Sequence, residues 1–235
     1  MTKTFDPSKF RKELTKSING MSTGFNDPKD WISTGNYALN YLISGDFHKG
    51  IPLGKVSVFA GESGAGKSYI CAGFIINEAQ ELDIFVVLVD SVNALVEVWL
   101  QNLNVDTSAE KLLKLNMSMI DDVAKTISNF VKDYKTDYGE KEPEERPKVL
   151  FVLDSLGMLS TNKEVEDASN DKNVRDMTKA QLIKSCFRIL TLKLGKANVP
   201  MLVTNHTYDV IGSYVPAKEM GGGSGLKYSA STIVY

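Results

Sequence analysis

The stretch that decides the fold is GESGAGKS, at residues 61–68. Its members are Gly61, Glu62, Ser63, Gly64, Ala65, Gly66, Lys67 and Ser68, and they match the spacing G-x-x-x-x-G-K-[ST] in full. An apolar run of strand length precedes the stretch and an apolar helical segment follows it, so a chance glycine-rich turn is disfavoured. The glycines let backbone N–H groups turn towards phosphate oxygens, and the positive end of the helix dipole adds to the attraction. The sequence therefore predicts a phosphate loop for ATP or GTP, with Lys67 on the β and γ phosphates and Ser68 on Mg²⁺.

Strand and helix signals alternate on both sides of this loop. Five apolar runs of strand length lie at 55–60, 84–90, 149–154, 201–204 and 232–235. They are nearly continuous in Val, Ile, Leu and Phe, which is typical of parallel strands buried on both faces. Amphipathic helical segments lie between them at 68–82, 118–135 and 176–197, the second with a predicted capping box of Ser118 and Asp121. This alternation predicts an α/β fold, with a mostly parallel twisted sheet flanked by helices.

A second site signal ends the third apolar run. The run 149–154 closes on Asp154, and an acidic residue at the end of a buried strand is the usual partner of a phosphate loop. Asp154 is expected to hold Mg²⁺ beside Ser68, directly or through water. The alternative is that its carboxylate only caps the following turn.

Composition limits the classes of function. The chain has 235 residues and a formal net charge of -2, so it has no global attraction for nucleic acid. No apolar run approaches the roughly 20 residues that span a bilayer, and the charged N-terminus does not predict a signal peptide. Cys71 and Cys186 lie far apart, which favours two reduced thiols in the cytoplasm.

The chain is predicted to have two parts, an N-terminal segment and a core. Residues 1–30 are predicted to form a short helix at 6–18 and a polar linker, and they offer a possible subunit contact. Residues 31–235 are predicted to form the nucleotide-binding core. The last apolar run ends at Tyr235 without a cap, from which we expect a core shortened at its C-terminal end. The charged segment 133–148 is expected to be a solvated loop.

Several further motifs stand in a fixed order along the chain. They are ISTG at 32–35, GIPLG at 50–54, VLDSLG at 152–157, DMT at 176–178, TNHTY at 204–208 and GGGSG at 221–225. Together with the phosphate loop they resemble the core of the RecA-type recombinases, and in particular the phage members of that family. The resemblance extends from about Asp30 to the end of the chain.

The resemblance implies a function. It implies an ATP-dependent DNA recombinase with a DNA-dependent ATPase activity. Such a protein binds ATP with Mg²⁺, forms filaments on single-stranded DNA and promotes homologous pairing and strand exchange with double-stranded DNA in recombination and repair. It also implies mediator and single-strand-binding proteins as partners, and the host cytoplasm as the location. Two DNA loops are expected at about 160–173 and 208–221, the second ending in glycines that let the backbone approach phosphates closely.

The resemblance also assigns individual residues. Lys67, Asp154 and His206 would act in the ATPase cycle, with His206 sensing the γ-phosphate, although a lone His at a strand end is more often structural. Trp99 would stack on adenine near Tyr69; alternatively, it shares a buried helix face with its neighbours. A basic group follows the first DNA loop, where each residue is either a phosphate contact or a solvated side chain: Lys172, Arg175, Lys179, Lys184 and Arg188.

The chain departs from the family in one short segment. The family places a Glu, the general base for water, two positions after the Asp that ends the second strand, and here Val92 stands there. Val96 replaces an Asp that contacts adenine, and Val98 adds a third valine; Glu97 is not expected to take over the base role. Nucleotide binding is therefore expected to persist with little turnover. Two alternatives remain: a non-hydrolysing ATP- and DNA-binding module, and another RecA-fold motor such as a replicative helicase or a circadian-clock-type ATPase.

Overall fold

The computed structural model of the protein describes residues 6–17, 27–170, 178–210 and 218–235. The strands in these ranges are β1 (Trp31–Ile32), β2 (Ile51–Pro52), β3 (Val56–Gly61), β4 (Phe85–Asp90), β5 (Leu112–Asn116), β6 (Val149–Asp154), β7 (Met201–Asp209), β8 (Lys218–Met220) and β9 (Thr232–Val234). The α-helices are α1 (Pro7–Ser17), α2 (Tyr37–Ser44), α3 (Ile75–Glu81), α4 (Glu97–Gln101), α5 (Ile120–Tyr138), α6 (Asn162–Ser169), α7 (Thr178–Ala197) and α8 (Gly223–Ser229).

The main sheet has the order β5-β4-β6-β7-β3-β9, and all five neighbouring pairs along this path are parallel. Strand β8 pairs antiparallel with β7 at its edge, and β1 and β2 form a separate two-stranded sheet. The predicted α/β class with a mostly parallel sheet is confirmed. In this order the carboxyl ends of β3, β4, β6 and β7 lie side by side, where open α/β sheets bind ligands.

Apolar side chains fill both faces of the sheet. Strand β3 shows this directly, because Val58 belongs to one buried cluster and Phe59 to the other. Helices α5 and α7 cover the first face, and α3 covers the second, together with the apolar side chains of β1 and β2. This two-sided burial is why the strands read as continuous apolar runs in the sequence.

The helix after the phosphate loop is not uniform. The predicted helix 68–82 forms as a π-helical turn at Tyr69–Phe74 that continues into α3. Such turns occur mostly as single turns inside α-helices, and they are frequent at functional sites. The turn brings Cys71 and Ala72 into the core directly below the loop.

The predicted capping box of Ser118 and Asp121 is wrong. Helix α5 begins at Ile120 after Met119, and the N-cap residue has no side-chain hydrogen bond. Residues before the helix instead form a parallel bridge with the segment after β6, in which the Ser160 amide donates to the Ser118 carbonyl at 2.7 Å. This pairing keeps Met119 extended, so Ser118 lies one residue too early to cap the helix.

Some elements were not foreseen. Strand β5 was not predicted, because it is a half-exposed edge strand and lacks a continuous apolar run. Helix α6 lies within the predicted first DNA loop and begins with a capping box of Thr161 and Glu164. The glycine run also begins a helix, α8, at Gly223. Most of the predicted linker after α1 lies outside the described residues. Within the described ranges, no helix is long and apolar enough to cross a membrane.

Candidate functional site

A cavity of about 390 Å³ lies at the carboxyl ends of the parallel strands. Its lining residues come from the phosphate loop and the turn after it, from the ends of β4 and β6 with the segments that follow them, and from β7: Ser63, Gly64, Gly66, Lys67, Ser68, Tyr69, Asp90, Val92, Ala94, Leu95, Asp154, Ser155, Met158 and His206. Strand register explains this convergence, because Gly61 pairs with His206 and Asp90 pairs with Asp154 across neighbouring strands. The cavity therefore brings together the residues predicted for phosphate, Mg²⁺ and γ-phosphate sensing.

The phosphate loop has the backbone shape that its glycines predict. Gly64 and Gly66 have φ angles of 78° and 87°, a left-handed conformation that glycine adopts without strain. The ammonium of Lys67 donates to the carbonyl oxygens of Gly61 at 3.0 Å and Glu62 at 2.6 Å. Lys67 therefore lies across the loop, where an anionic phosphate could replace the two neutral carbonyls as the hydrogen-bond partner of its ammonium.

Asp154 is buried at the end of β6, and its carboxylate accepts a hydrogen bond from the Thr204 hydroxyl of β7. Burial raises the pKa of the nearby Cys71 thiol, and the charge of Asp154 raises it further, so this thiol stays protonated. Ser68 and Asp154 offer a hydroxyl and a carboxylate, hard oxygen donors of the kind that Mg²⁺ takes alongside phosphate and water. Among the described residues, no cluster of three or more His, Cys, Asp or Glu forms a separate metal site.

A buried carboxylate that sequence reasoning missed organises the neighbouring loop. Asp90 accepts hydrogen bonds from the amides of Val92 at 3.2 Å, Ala94 at 3.3 Å and Leu95 at 2.9 Å, and its Oδ2 lies 3.0 Å from the Lys114 ammonium. Burial by itself raises the pKa of Asp90, but the Leu95 amide, Lys114 and the Ala94 amide outweigh burial and lower it. Asp90 therefore stays ionised and fixes residues 91–95.

The valine-rich segment lies on the surface. Val92, Val96 and Val98 are 48%, 60% and 65% exposed, so none of them serves the core. Val92 lines the cavity, and its backbone amide donates a hydrogen bond to Asp90, whereas Val96 and Val98 are not among the lining residues. Glu97 accepts a hydrogen bond from the Thr107 hydroxyl at 2.9 Å on the outer side of α4, in line with the expectation that it is no substitute base.

Two aromatic side chains lie beside the cavity. Tyr69 is 46% exposed and lines it, and its ring meets Trp99 edge to face at 6.4 Å. Trp99 is partly buried and packs against the core, so the interpretation as a helix-face core residue describes its contacts. Tyr69 is among the residues that line the cavity, whereas Trp99 lies behind it and contacts its ring.

His206, in β7, lies between the cavity and Gly221, the residue that directly follows β8. Its Nε2 is 3.5 Å from the Ser155 hydroxyl, and its amide donates to the Asn205 side chain at 2.9 Å. Asn205 in turn donates to the Gly221 carbonyl at 2.7 Å, and the Gly221 amide donates back to the His206 carbonyl at 3.0 Å. A Cβ at Gly157 would lie 3.1 Å from Asn205 Oδ1, which explains the glycine there. This network connects the cavity to the residue that directly follows β8.

The two predicted DNA loops are only partly described. The first contains α6 and then runs into 171–177, and the second contains the end of β7 and all of β8, with 211–217 between them. Lys172, Arg175 and the start of the DMT motif lie outside the described residues. Lys179 forms an ion pair with Glu164 at 3.3 Å, whereas Lys184 and Arg188 are exposed on α7.

Known proteins share this arrangement of motifs. Residues 10–234 match the family described as RecA N-terminal domain. Over 233 residues the chain is 31% identical to the recombination and repair protein of Enterobacteria phage T4, covering 96% of this chain and 53% of that protein. It is 26% identical over 207 residues to the RecA protein of Sulfurovum sp. (strain NBC37-1), covering 87% of this chain and 54% of the relative. For the RecA protein of Nocardioides sp. (strain ATCC BAA-499 / JS614), identity is 27% over 205 residues, with 87% and 53% covered. The chain thus spans about half the length of the curated relatives it matches.

Proposed function

This chain belongs to the RecA family, and on that premise we propose that it binds ATP with Mg²⁺ and assembles on single-stranded DNA for homologous pairing and strand exchange. The observation that carries the ATP part is the cavity in which Lys67, Ser68 and Asp154 meet under a glycine loop. In this proposal the loop amides and Lys67 bind the β and γ phosphates. Ser68 and Asp154 hold Mg²⁺, which supplies charge neutralisation of the triphosphate. Tyr69 and Trp99 would contact the adenine.

The DNA part is supported by the path from the cavity to Gly221, which directly follows β8. The Nε2 of His206 is 3.5 Å from the Ser155 hydroxyl at the cavity, and the His206 carbonyl accepts a hydrogen bond from the Gly221 amide. A γ-phosphate that moves His206 would therefore move the base of the second predicted DNA loop. By family resemblance the partners are single-stranded and double-stranded DNA, further copies of the chain in a filament, and mediator and single-strand-binding proteins, in the cytoplasm.

A second candidate function is favoured by the apolar part of the cavity lining. Val92, Ala94, Leu95 and Met158 form it, and none of these side chains accepts a proton. This apolar lining suits a module that retains ATP, and stays on DNA, without turning the nucleotide over. RecA-family proteins are DNA-dependent ATPases. The first candidate would hydrolyse ATP as they do and the second would not, whereas both would bind ATP and DNA.

The test of nucleotide binding is Lys67→Ala, followed by titration with ATP·Mg²⁺ in a calorimeter. Loss of the cation is expected to weaken ATP binding severely, because the β and γ phosphates lose their charged partner. Lys49→Ala is the matched control, since Lys49 pairs with Asp46 in the turn after α2. Equal ATP affinity in wild type and Lys67→Ala would remove the phosphate-loop assignment.

The test of DNA binding is the affinity for a labelled oligonucleotide with and without ATP, over a range of salt concentrations. ATP is expected to strengthen binding and salt to weaken it steeply, because phosphate contacts release counterions. Electron microscopy of the same mixture separates the motor alternative, since a helicase-like assembly would give hexameric rings where a recombinase gives helical filaments. DNA affinity that responds to neither ATP nor salt would contradict the proposal.

A further inference from the structure

An ion pair joins the phosphate loop to the β7–β8 hairpin. The ammonium of Lys218, the first residue of β8, contacts Oε1 of Glu62, the second residue of the loop. The carbonyl oxygen of Glu62 accepts a hydrogen bond from Lys67. Glu62 therefore touches the phosphate-binding lysine with its main chain and the hairpin with its side chain.

Strand β8 of the hairpin faces the loop across a cavity, whereas β7 pairs with β3 as far as Gly61. In the β7–β8 ladder Lys218 lies opposite Asp209 and Met220 opposite Thr207. A second cavity, of about 470 Å³, separates this ladder from the phosphate loop, and it is lined by Ala60, Gly61, Glu62, Ala65, Thr207, Lys218 and Tyr235. Lys218 and Glu62 both line this cavity, so their ion pair joins β8 to the loop at the cavity wall.

We infer that the Glu62–Lys218 ion pair couples nucleotide binding to the position of β8, with Lys218 as a positioning residue; this rests on the proposed ATP and DNA binding. Phosphates that bind Lys67 draw it away from the Glu62 carbonyl and add negative charge beside the Glu62 carboxylate. Both changes strengthen the attraction of the loop for the Lys218 ammonium. ATP therefore holds β8 against the loop and favours the hairpin arrangement that binds DNA.

This link is distinct from the one through His206. The His206 path runs from Ser155 to Gly221, directly after β8, whereas the ion pair acts on Lys218, at the opposite end of β8. The side chains of Lys218 and Glu62 are 49% and 63% exposed, so water and salt weaken their attraction. The expected contribution to coupling is therefore about 1.5- to 5-fold.

The experiment measures the ratio of the oligonucleotide Kd without ATP to the Kd with saturating ATP·Mg²⁺. Lys218→Gln and Glu62→Gln are each expected to lower this ratio about 1.5- to 5-fold, and the double variant is expected to lower it no further. Lys49→Gln, which removes a similarly exposed lysine from its ion pair with Asp46, should keep the wild-type ratio. An unchanged ratio in Lys218→Gln, or losses that add in the double variant, would overturn the inference.

A second readout does not require DNA. Hydrogen exchange of the backbone amides of β8 should slow when ATP·Mg²⁺ binds wild type or Lys49→Gln, and this slowing should be lost in Lys218→Gln at an unchanged thermal midpoint. A wild-type chain that binds ATP and DNA independently of each other would overturn the coupling and leave the proposed function standing. A wild-type chain that binds neither ligand would remove the proposed function, and the inference with it.

Discussion

Replacing Val92 by glutamate is expected to create ATP turnover. The backbone at residue 92 is already fixed, because the backbone amides of Val92, Ala94 and Leu95 donate hydrogen bonds to the Asp90 carboxylate at 2.9 to 3.3 Å. The side chain lines the cavity that holds Lys67 and is 48% exposed. A glutamate there can stay solvated, face the phosphate end of the cavity and accept a proton from water, at little cost to the core.

The size of the effect follows from general-base catalysis. A positioned base contributes about 100- to 10,000-fold in rate, which corresponds to about 3 to 5 kcal/mol of barrier. The cavity already holds the carboxylates of Asp90 and Asp154, and a third carboxylate makes it more negative. The triphosphate is also negative, so ATP should not bind more tightly to Val92→Glu than to wild type.

The assay is steady-state phosphate release from ATP with and without single-stranded DNA. Val98→Glu is the matched control, because Val98 is 65% exposed on α4 and is not among the residues that line the cavity. The expected order is a DNA-stimulated rate in Val92→Glu, with wild type and Val98→Glu near background. Equal rates in all three proteins, with ATP bound in each, would refute the view that residue 92 limits turnover.

Three further predictions concern stability. The lowered pKa of Asp90 means that its carboxylate stabilises the fold fully above the unfolded pKa of about 3.9, and that this contribution is lost as pH falls through the lowered folded pKa. Asp90→Asn should therefore lower the free energy of unfolding, measured with urea at neutral pH, by about 2 to 3 kcal/mol, and should reduce the loss of stability on going to acid pH. The exposed control Asp83→Asn should change both quantities little. An unaltered loss of stability at acid pH would contradict this. Ser57→Ala should raise the free energy of unfolding by about 1 kcal/mol, because the buried Ser57 hydroxyl has no hydrogen-bond partner among the described residues. A loss of stability would contradict this account. Gly225→Ala should lower the thermal midpoint, since its Cβ would lie 2.6 Å from the Lys184 Cα and force α7 and α8 apart at a cost of about 1 to 3 kcal/mol; an unchanged midpoint would show that the helices separate freely.

The sequence determined the parts of this protein that depend on neighbours along the chain. The loop at 61–68 specifies its own turns, since Gly64 and Gly66 have the positive φ angles that glycine alone adopts readily. Continuous apolar runs identify strands buried on both faces, and the order of motifs identifies the family. The residue at 92 could be placed at the site for the same reason, because a fixed number of residues separates it from the end of its strand.

Tertiary structure alone decided which distant residues meet. The Thr204–Asp154 hydrogen bond joins residues 50 apart, and the Glu62–Lys218 ion pair joins residues 156 apart. Neither contact leaves a local pattern, because each depends on strand order and register, which place Gly61 beside His206 and Asp90 beside Asp154. The same reason explains the wrong capping box. Ser118 has the right local chemistry, but its carbonyl is paired with the Ser160 amide, and a long-range pairing that fixes the backbone outweighs a local preference worth about 1 kcal/mol.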